Sequence, residues 1–93
     1  MQATIDEVMQ AATKVVDGEM SALDAVPIMR PLTGEAIPIA LALRKEAPGE
    51  ADDYHKLVLG LGRSLRSQVA GSKEGPSLNA VIDDLSRVLQ ALG

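Results

Sequence analysis

The sequence contains no cysteine, phenylalanine or tryptophan, and it has a single tyrosine, Tyr54. Without cysteine, the chain can form neither disulfide bonds nor thiolate zinc sites. Its core must therefore be built from Leu, Ile, Val, Met and Ala. This composition favours helices, because strands draw heavily on aromatic side chains while Ala, Leu and Met lose little on entering a helix. We expect an all-α protein.

Basic charge is also scarce, with nine Lys and Arg against thirteen Asp and Glu and a formal net charge of −4. Affinity for nucleic acids comes mainly from clustered Lys and Arg, so a nucleic-acid partner is not expected. Met1–Met9 carries Asp6 and Glu7 where a signal peptide needs positive charge and an apolar run. The longest apolar stretch, Ala36–Leu43, spans eight residues, against the ~20 needed to cross a bilayer. The sequence predicts a cytoplasmic protein without a membrane partner.

A chain of 93 residues buries roughly 60–65% of the surface that its unfolded form exposes, which is enough for one modest core. We therefore expect one domain over residues 1–93. Its first helix is predicted from Ile5 to Asp17, since apolar residues recur there at helical spacing. Thr4 and Glu7 have the form of a capping box, and Gly18 can end the helix in the left-handed conformation.

Prolines make the middle of the chain harder to interpret. A second helix starting near Ser21 has to be short or kinked, or has to start later, because Pro27 falls past its first turn and Pro31 limits it. A third helix is predicted over Glu35–Glu46, ended by Pro48. A buried strand could produce the same apolar run, but a single strand without a partner could not satisfy its backbone groups.

The last two predicted helices are about Ala51–Ala70 and Leu78–Leu92, the latter capped by Ser77, with Ser72–Pro76 as a polar loop. Leu85 lies at the centre of the apolar side of the last helix. The buried stripe of the preceding helix is predicted to consist of Tyr54, Leu57, Val58, Leu61, Leu65 and Val69. Together these segments predict a compact bundle of four to five short amphipathic helices.

Residues that could act in catalysis or bind a metal do not cluster in the sequence. The one histidine, His55, has no second His or Cys near it, and Asp52 one turn earlier suggests a salt bridge with it. The pairs Asp52–Asp53 and Asp83–Asp84 point about 100° apart on a helix, so we interpret them as solvated faces. We expect no enzyme, no metal site and no cofactor.

The segment His55-Lys56-Leu57-Val58-Leu59-Gly60 resembles the phosphoacceptor helix of histidine phosphotransfer domains, which are also small helical bundles. The resemblance covers these six residues and implies a phosphate-accepting His55. In that family a lysine and then a glycine follow the histidine by one turn, whereas Val58 and Leu59 stand here. Gly60 lies about 140° around the helix from His55, so it does not open space over the ring.

A leucine flanked by bases is the strongest candidate for a contact surface. Leu59 lies off the predicted buried stripe, beside Arg63 and Arg66, with His55 and Lys56 at the edge. An isolated surface leucine, or one covered by the last helix, would explain the same pattern. Leu41 in the third predicted helix is a second candidate contact residue, and the same alternative explanations apply to it.

These observations favour a small non-enzymatic protein-interaction module, such as an inhibitor, an adaptor or an immunity-type partner. A structural homo-oligomer that uses the apolar third helix as its subunit interface is the alternative. A phosphotransfer domain is the third interpretation.

Overall fold

The computed structural model describes residues 3–93, which form four α-helices and no strand. These are α1 (Ala3–Val16), α2 (Ala22–Glu46), α3 (Pro48–Val69) and α4 (Gly75–Leu92). The all-α prediction is confirmed, and the number of helices is four. Residues 1 and 2 of the predicted domain lie outside the described residues.

The end of α1 forms as the sequence predicts. Gly18 has φ +79°, the amide of Gly18 donates to the carbonyl of Val15 at 3.2 Å, and the amide of Glu19 donates to Lys14 at 2.9 Å. This pair of bonds is a Schellman motif, and it requires a residue that tolerates positive φ. The predicted capping box does not form at the start, because α1 already includes Thr4.

The second and third predicted helices are one continuous helix, α2, so the predicted break between them is wrong. Ser21 is the N-cap, and its hydroxyl accepts a hydrogen bond from the amide of Asp24 at 3.2 Å. A row of buried residues at spacings of three and four runs along most of the helix: Ala22, Ala25, Met29, Thr33, Ala36 and Ala40. Burial of this row against the other helices stabilises α2 across its prolines.

The prolines are tolerated because all three lie on the opposite, exposed side of α2. Proline lacks an N–H, so each one leaves the carbonyl four residues earlier without its amide partner. The affected carbonyls belong to Leu23, Pro27 and Gly34, which are themselves exposed. We call this exposed row the outer stripe, and it comprises Leu23, Pro27, Pro31, Gly34, Pro38 and Leu41.

The joints between helices are tighter than the sequence indicates. Ala47 alone separates α2 from α3, which begins at Pro48 and not at Ala51. Likewise, α4 begins at Gly75, so Ser77 lies inside it and is not its cap. Within the predicted loop, the carboxylate of Glu74 accepts a hydrogen bond from the amide of Ala22 at 3.2 Å. This contact ties the α3–α4 connection to the first turn of α2.

The core lies where α2 meets the other three helices, and its most extensive packing is with α4. Leu85 is 1% exposed, as expected for the centre of the apolar side of α4. Val58 and Leu65 of α3 are also buried. The prediction that Leu57 belongs to the buried stripe of α3 is wrong, since this side chain is 55% exposed. It lies about 100° from Val58 around α3, beyond the width of the buried stripe.

By length and composition, α2 is the one helix of the described chain that could cross a membrane. The core helix of a water-soluble bundle passes the same test. A signal sequence passes it as well. In the structure, α2 packs against α1, α3 and α4.

Candidate partner-binding site

A groove of about 180 Å³ runs between α3 and α4. On α3, it is lined by Leu59 and Gly62, which are one turn apart, together with Val58, Arg63 and Arg66. The connection 70–74 between these helices is short, so they pack as antiparallel neighbours. The α4 side of the groove consists of Ile82, Leu85, Ser86 and Leu89.

Small residues keep this groove open. Gly62 has no side chain, and a β-carbon placed on it would meet no atom within 4 Å. Ser86 is the smallest lining residue on the α4 side. Since the buried Val58 and Leu85 form part of the lining, the groove opens directly over the hydrophobic core. It can therefore accept an apolar side chain from outside.

Three of the residues singled out in the sequence, Leu59, Arg63 and Arg66, line this one groove. Both arginines are exposed, whereas Leu59 is half-buried. Of the alternatives that the sequence left open for Leu59, the structure agrees with partial cover by the last helix, because α4 supplies the second wall of the groove. Leu59 is nevertheless not one of the side chains packed against the core.

The other three candidates lie outside the groove. His55 and Lys56 are not among its lining residues, although both belong to α3. Leu41 is 43% exposed and lies on the outer stripe of α2. Leu41, which the sequence analysis treated as a separate case, therefore lies on a different surface from the groove.

His55 is half-buried against the end of α4. A β-carbon placed on Gly93 would lie 3.0 Å from both Cδ2 and Nε2 of the imidazole. The carboxylate of Asp52 pairs with the ammonium of Lys56 at 3.4 Å, and not with His55 as the sequence suggested. A phosphate-accepting histidine needs an open ring, so this packing does not favour the phosphotransfer interpretation.

One buried charge was missed at the level of the sequence. Asp84, interpreted with Asp83 as part of a solvated face, is 3% exposed. Its Oδ2 atom has no hydrogen-bond partner, and Oδ1 lies 3.9 Å from the guanidinium of Arg87. Burial raises the pKa of Asp84, while the nearby guanidinium groups of Arg30 and Arg87 act in the opposite direction.

The position of Asp84 was detectable in principle. It lies three residues after Val81, four before Val88 and seven before Ala91, and these spacings place it on their side of the helix. All three are buried. Asp84 therefore lies on the buried side of α4. This burial was not predicted, because Asp83 and Asp84 were interpreted together as one solvated face.

A second groove, of about 520 Å³, lies where the start of α1 meets the joint between α2 and α3. Its walls include Ile39 and Leu43, and Glu46 and Glu50 also line it. Nothing in the sequence analysis identified it. Along residues 3–93, no three His, Asp or Glu side chains lie close enough together to hold a metal ion.

On the same side of the bundle, the hydroxyl of Tyr54 donates a hydrogen bond to the carboxylate of Asp6 at 3.0 Å. Burial and the negative charges of Asp6 and Glu50 raise the pKa of Tyr54. The amide of Gln68 donates to the carbonyl of Val16 at 2.8 Å. These contacts join α3 to the two ends of α1 and leave the α3–α4 groove free.

Comparison of the chain with models of protein families, with curated proteins and with solved structures found no match.

Proposed function

We propose that this chain is a non-enzymatic protein-interaction module that binds an acidic partner segment in the α3–α4 groove. The observation that carries this proposal is the meeting of Leu59, Arg63 and Arg66 along one open cavity. A partner of this kind would present an apolar side chain flanked by carboxylates.

The volume of the groove supports a side-chain anchor over a small-molecule ligand. Pockets for drug-sized ligands typically measure about 300–1,000 Å³, whereas this groove measures about 180 Å³. A cavity of roughly 150 Å³ is enough to hold one benzene molecule. One leucine, methionine or aromatic side chain therefore matches the space over Gly62.

Charge supports an acidic partner. The charged residues that line the groove are Arg63 and Arg66, and no acidic side chain lines it, although the whole chain has a net charge of −4. Exposed guanidinium groups can pair with carboxylates through two parallel hydrogen bonds. Arginine beside an apolar anchor is also a frequent composition at the centres of protein interfaces.

The test is to fill the groove without disturbing the core. The variant Gly62→Leu adds a side chain at a position where a β-carbon meets no atom within 4 Å. Gly60→Leu is the matched control. Gly60 has equally open space around it, and it is exposed on the other side of α3. Peptides would be selected from a random library against the wild-type chain. Their dissociation constants would then be measured for both variants by fluorescence anisotropy.

We expect the selected peptides to combine acidic residues with one large apolar residue. Gly62→Leu should weaken their binding at least tenfold, and Gly60→Leu should leave it unchanged. The double variant Leu59→Ala/Arg63→Ala should lose at least ~2 kcal/mol of binding free energy if both residues are hot spots. If peptides bind Gly62→Leu as well as wild type, or if none can be selected, the groove is not the binding surface.

Self-association is the second candidate function, and the outer stripe of α2 favours it. Leu23 and Leu41 are 64% and 43% exposed, and only 22% of the residues in the most apolar part of α2 are buried. Exposed apolar surface of this extent on one helix is typical of a contact surface.

A further inference from the structure

We infer that the outer stripe of α2 is the seam of an antiparallel homodimer with Gly34 on its two-fold axis. This inference rests on the second candidate function, self-association, and is independent of the α3–α4 groove. The stripe lies opposite the buried row of α2, so a second copy can cover it without disturbing the core of the first.

The spacing of the stripe is that of a helix–helix seam. Pro27, Pro31, Gly34, Pro38 and Leu41 follow one another at intervals of four, three, four and three residues. Such alternation keeps side chains on one side of a helix, where they can meet a partner helix over several turns. No charged residue belongs to the run itself, since Arg30 and Glu35 lie on its two flanks, about 60° and 80° from its centre.

Gly34 is suited to the point of closest approach. It is exposed near the middle of α2, and a β-carbon on it would meet nothing within 4 Å. A glycine at the crossing point lets two helix backbones come close together. With Gly34 on the axis, Pro27 of one copy lies opposite Leu41 of the other, because both are seven residues from Gly34.

Charge decides the direction of the second helix. Asp24 lies ten residues before Gly34, while Arg44 and Lys45 lie ten and eleven residues after it, and all three are exposed. An antiparallel arrangement brings Asp24 of each copy to the Lys45 end of the other. A parallel arrangement would instead place Asp24 beside Asp24 and Lys45 beside Lys45, which is unfavourable. The helix dipoles also favour the antiparallel choice.

The carbonyls released by proline fit this arrangement. The carbonyl of Leu23 has lost its amide partner to Pro27, and Lys45 of a second copy would lie opposite it, since both are eleven residues from Gly34. The ammonium group of Lys45 can donate to this carbonyl as well as to Asp24. The two ends of the stripe are therefore complementary in hydrogen bonding as well as in charge.

The size of the seam predicts a weak, reversible dimer. The proposed contact from Leu23 to Lys45 is about 33 Å long, and a helix is about 10 Å wide, which gives a contact area of roughly 330 Å². This area is below the ~800 Å² per partner of a standard interface. Association should therefore be measured by analytical ultracentrifugation up to several hundred micromolar protein.

Gly34→Arg tests the seam, with Gly60→Arg as its matched control. Both glycines are exposed in helices with open space around them, so neither variant should unfold the monomer. We expect Gly34→Arg to weaken dimerisation at least tenfold and Gly60→Arg to leave it unchanged. A wild-type chain that stays monomeric at every concentration overturns self-association and this inference together. A dimer that is equally strong in both variants overturns the α2 seam alone.

Direction can be tested by cross-linking, because the chain has no natural cysteine. In the antiparallel dimer the two copies of Gly34→Cys meet on the axis and should form a disulfide under mild oxidation. Two copies of Leu41→Cys lie about 21 Å apart along the helices, beyond the ~7 Å limit between Cα atoms. A mixture of Pro27→Cys and Leu41→Cys should cross-link as a heterodimer. Efficient self-cross-linking of Leu41→Cys would show a parallel dimer and contradict the inference.

Discussion

The carboxylate of Glu74 accepts a hydrogen bond from the backbone amide of Ala22 at 3.2 Å, across 52 residues of sequence. The amides of the first turn of a helix have no partner within the helix, and a negative charge there also interacts favourably with the helix dipole. One side chain of the α3–α4 connection thus stabilises the start of α2.

Replacement of Glu74 by Ala should lower the free energy of unfolding by about 0.5–2 kcal/mol, the usual effect of losing a helix cap. Urea unfolding monitored by circular dichroism would measure it. Glu35→Ala is the control, because Glu35 is exposed in the middle of α2. Equal effects in the two variants would mean that the 3.2 Å contact contributes nothing.

Leu85→Ala should destabilise the fold by about 2–5 kcal/mol, because the change leaves a cavity in a packed core. Leu57→Ala makes the same chemical change at a side chain that is 55% exposed, so it should cost less than ~1 kcal/mol. Thermal and urea unfolding of the two variants would give the difference. A small loss for Leu85→Ala would place α4 at the periphery of the fold.

Because of Asp84, the free energy of unfolding should depend on pH in the acidic range. Its pKa is raised by burial above the usual 3.8, so the folded chain holds this proton more tightly than the unfolded chain does. Its contribution to stability is therefore largest below pH 3.8 and falls as pH rises through the raised pKa. Asp84→Asn removes this titration and should raise the free energy of unfolding at neutral pH relative to wild type.

The free energy of unfolding would be measured for wild type and Asp84→Asn between about pH 3 and pH 7. Asp83→Asn is the control, because Asp83 is the exposed neighbour of Asp84. Subtraction of the variant curve from the wild-type curve isolates Asp84 from the other carboxyl groups. A difference that stays constant with pH would show that Asp84 is solvated in the folded state.

Pro31→Ala should stabilise the protein, because α2 is continuous and Pro31 is exposed in its interior. Proline in a helix interior costs about 3 kcal/mol relative to alanine, while its restriction of the unfolded chain offsets about 0.4–1 kcal/mol of that. We expect a net gain of about 2–2.6 kcal/mol in the free energy of unfolding at low protein concentration, where a weak dimer is dissociated. A helix that ended at Pro31 would show no gain.

The candidate site illustrates how far the sequence reaches. The helical spacing of Leu59, Arg63 and Arg66 was sufficient to place them on one side of α3, and the structure finds them along one groove. The second wall of that groove comes from Ile82, Leu85, Ser86 and Leu89 of α4. No pattern within α3 specifies which helix packs beside it, so the half-burial of Leu59 could not be read from its own segment.

The sequence by itself determined the helical class of this protein, the end of α1 at Gly18 and the buried side of α4, because periodicity and glycine conformation act within a few residues. The continuity of α2 was decided by the tertiary structure. Pro27, Pro31 and Pro38 each weaken the helix locally, but burial of residues from Ala22 to Ala40 against three other helices outweighs that penalty. Tertiary packing likewise decided that Leu59 is half-buried, since the second wall of its groove comes from α4 and not from its own helix.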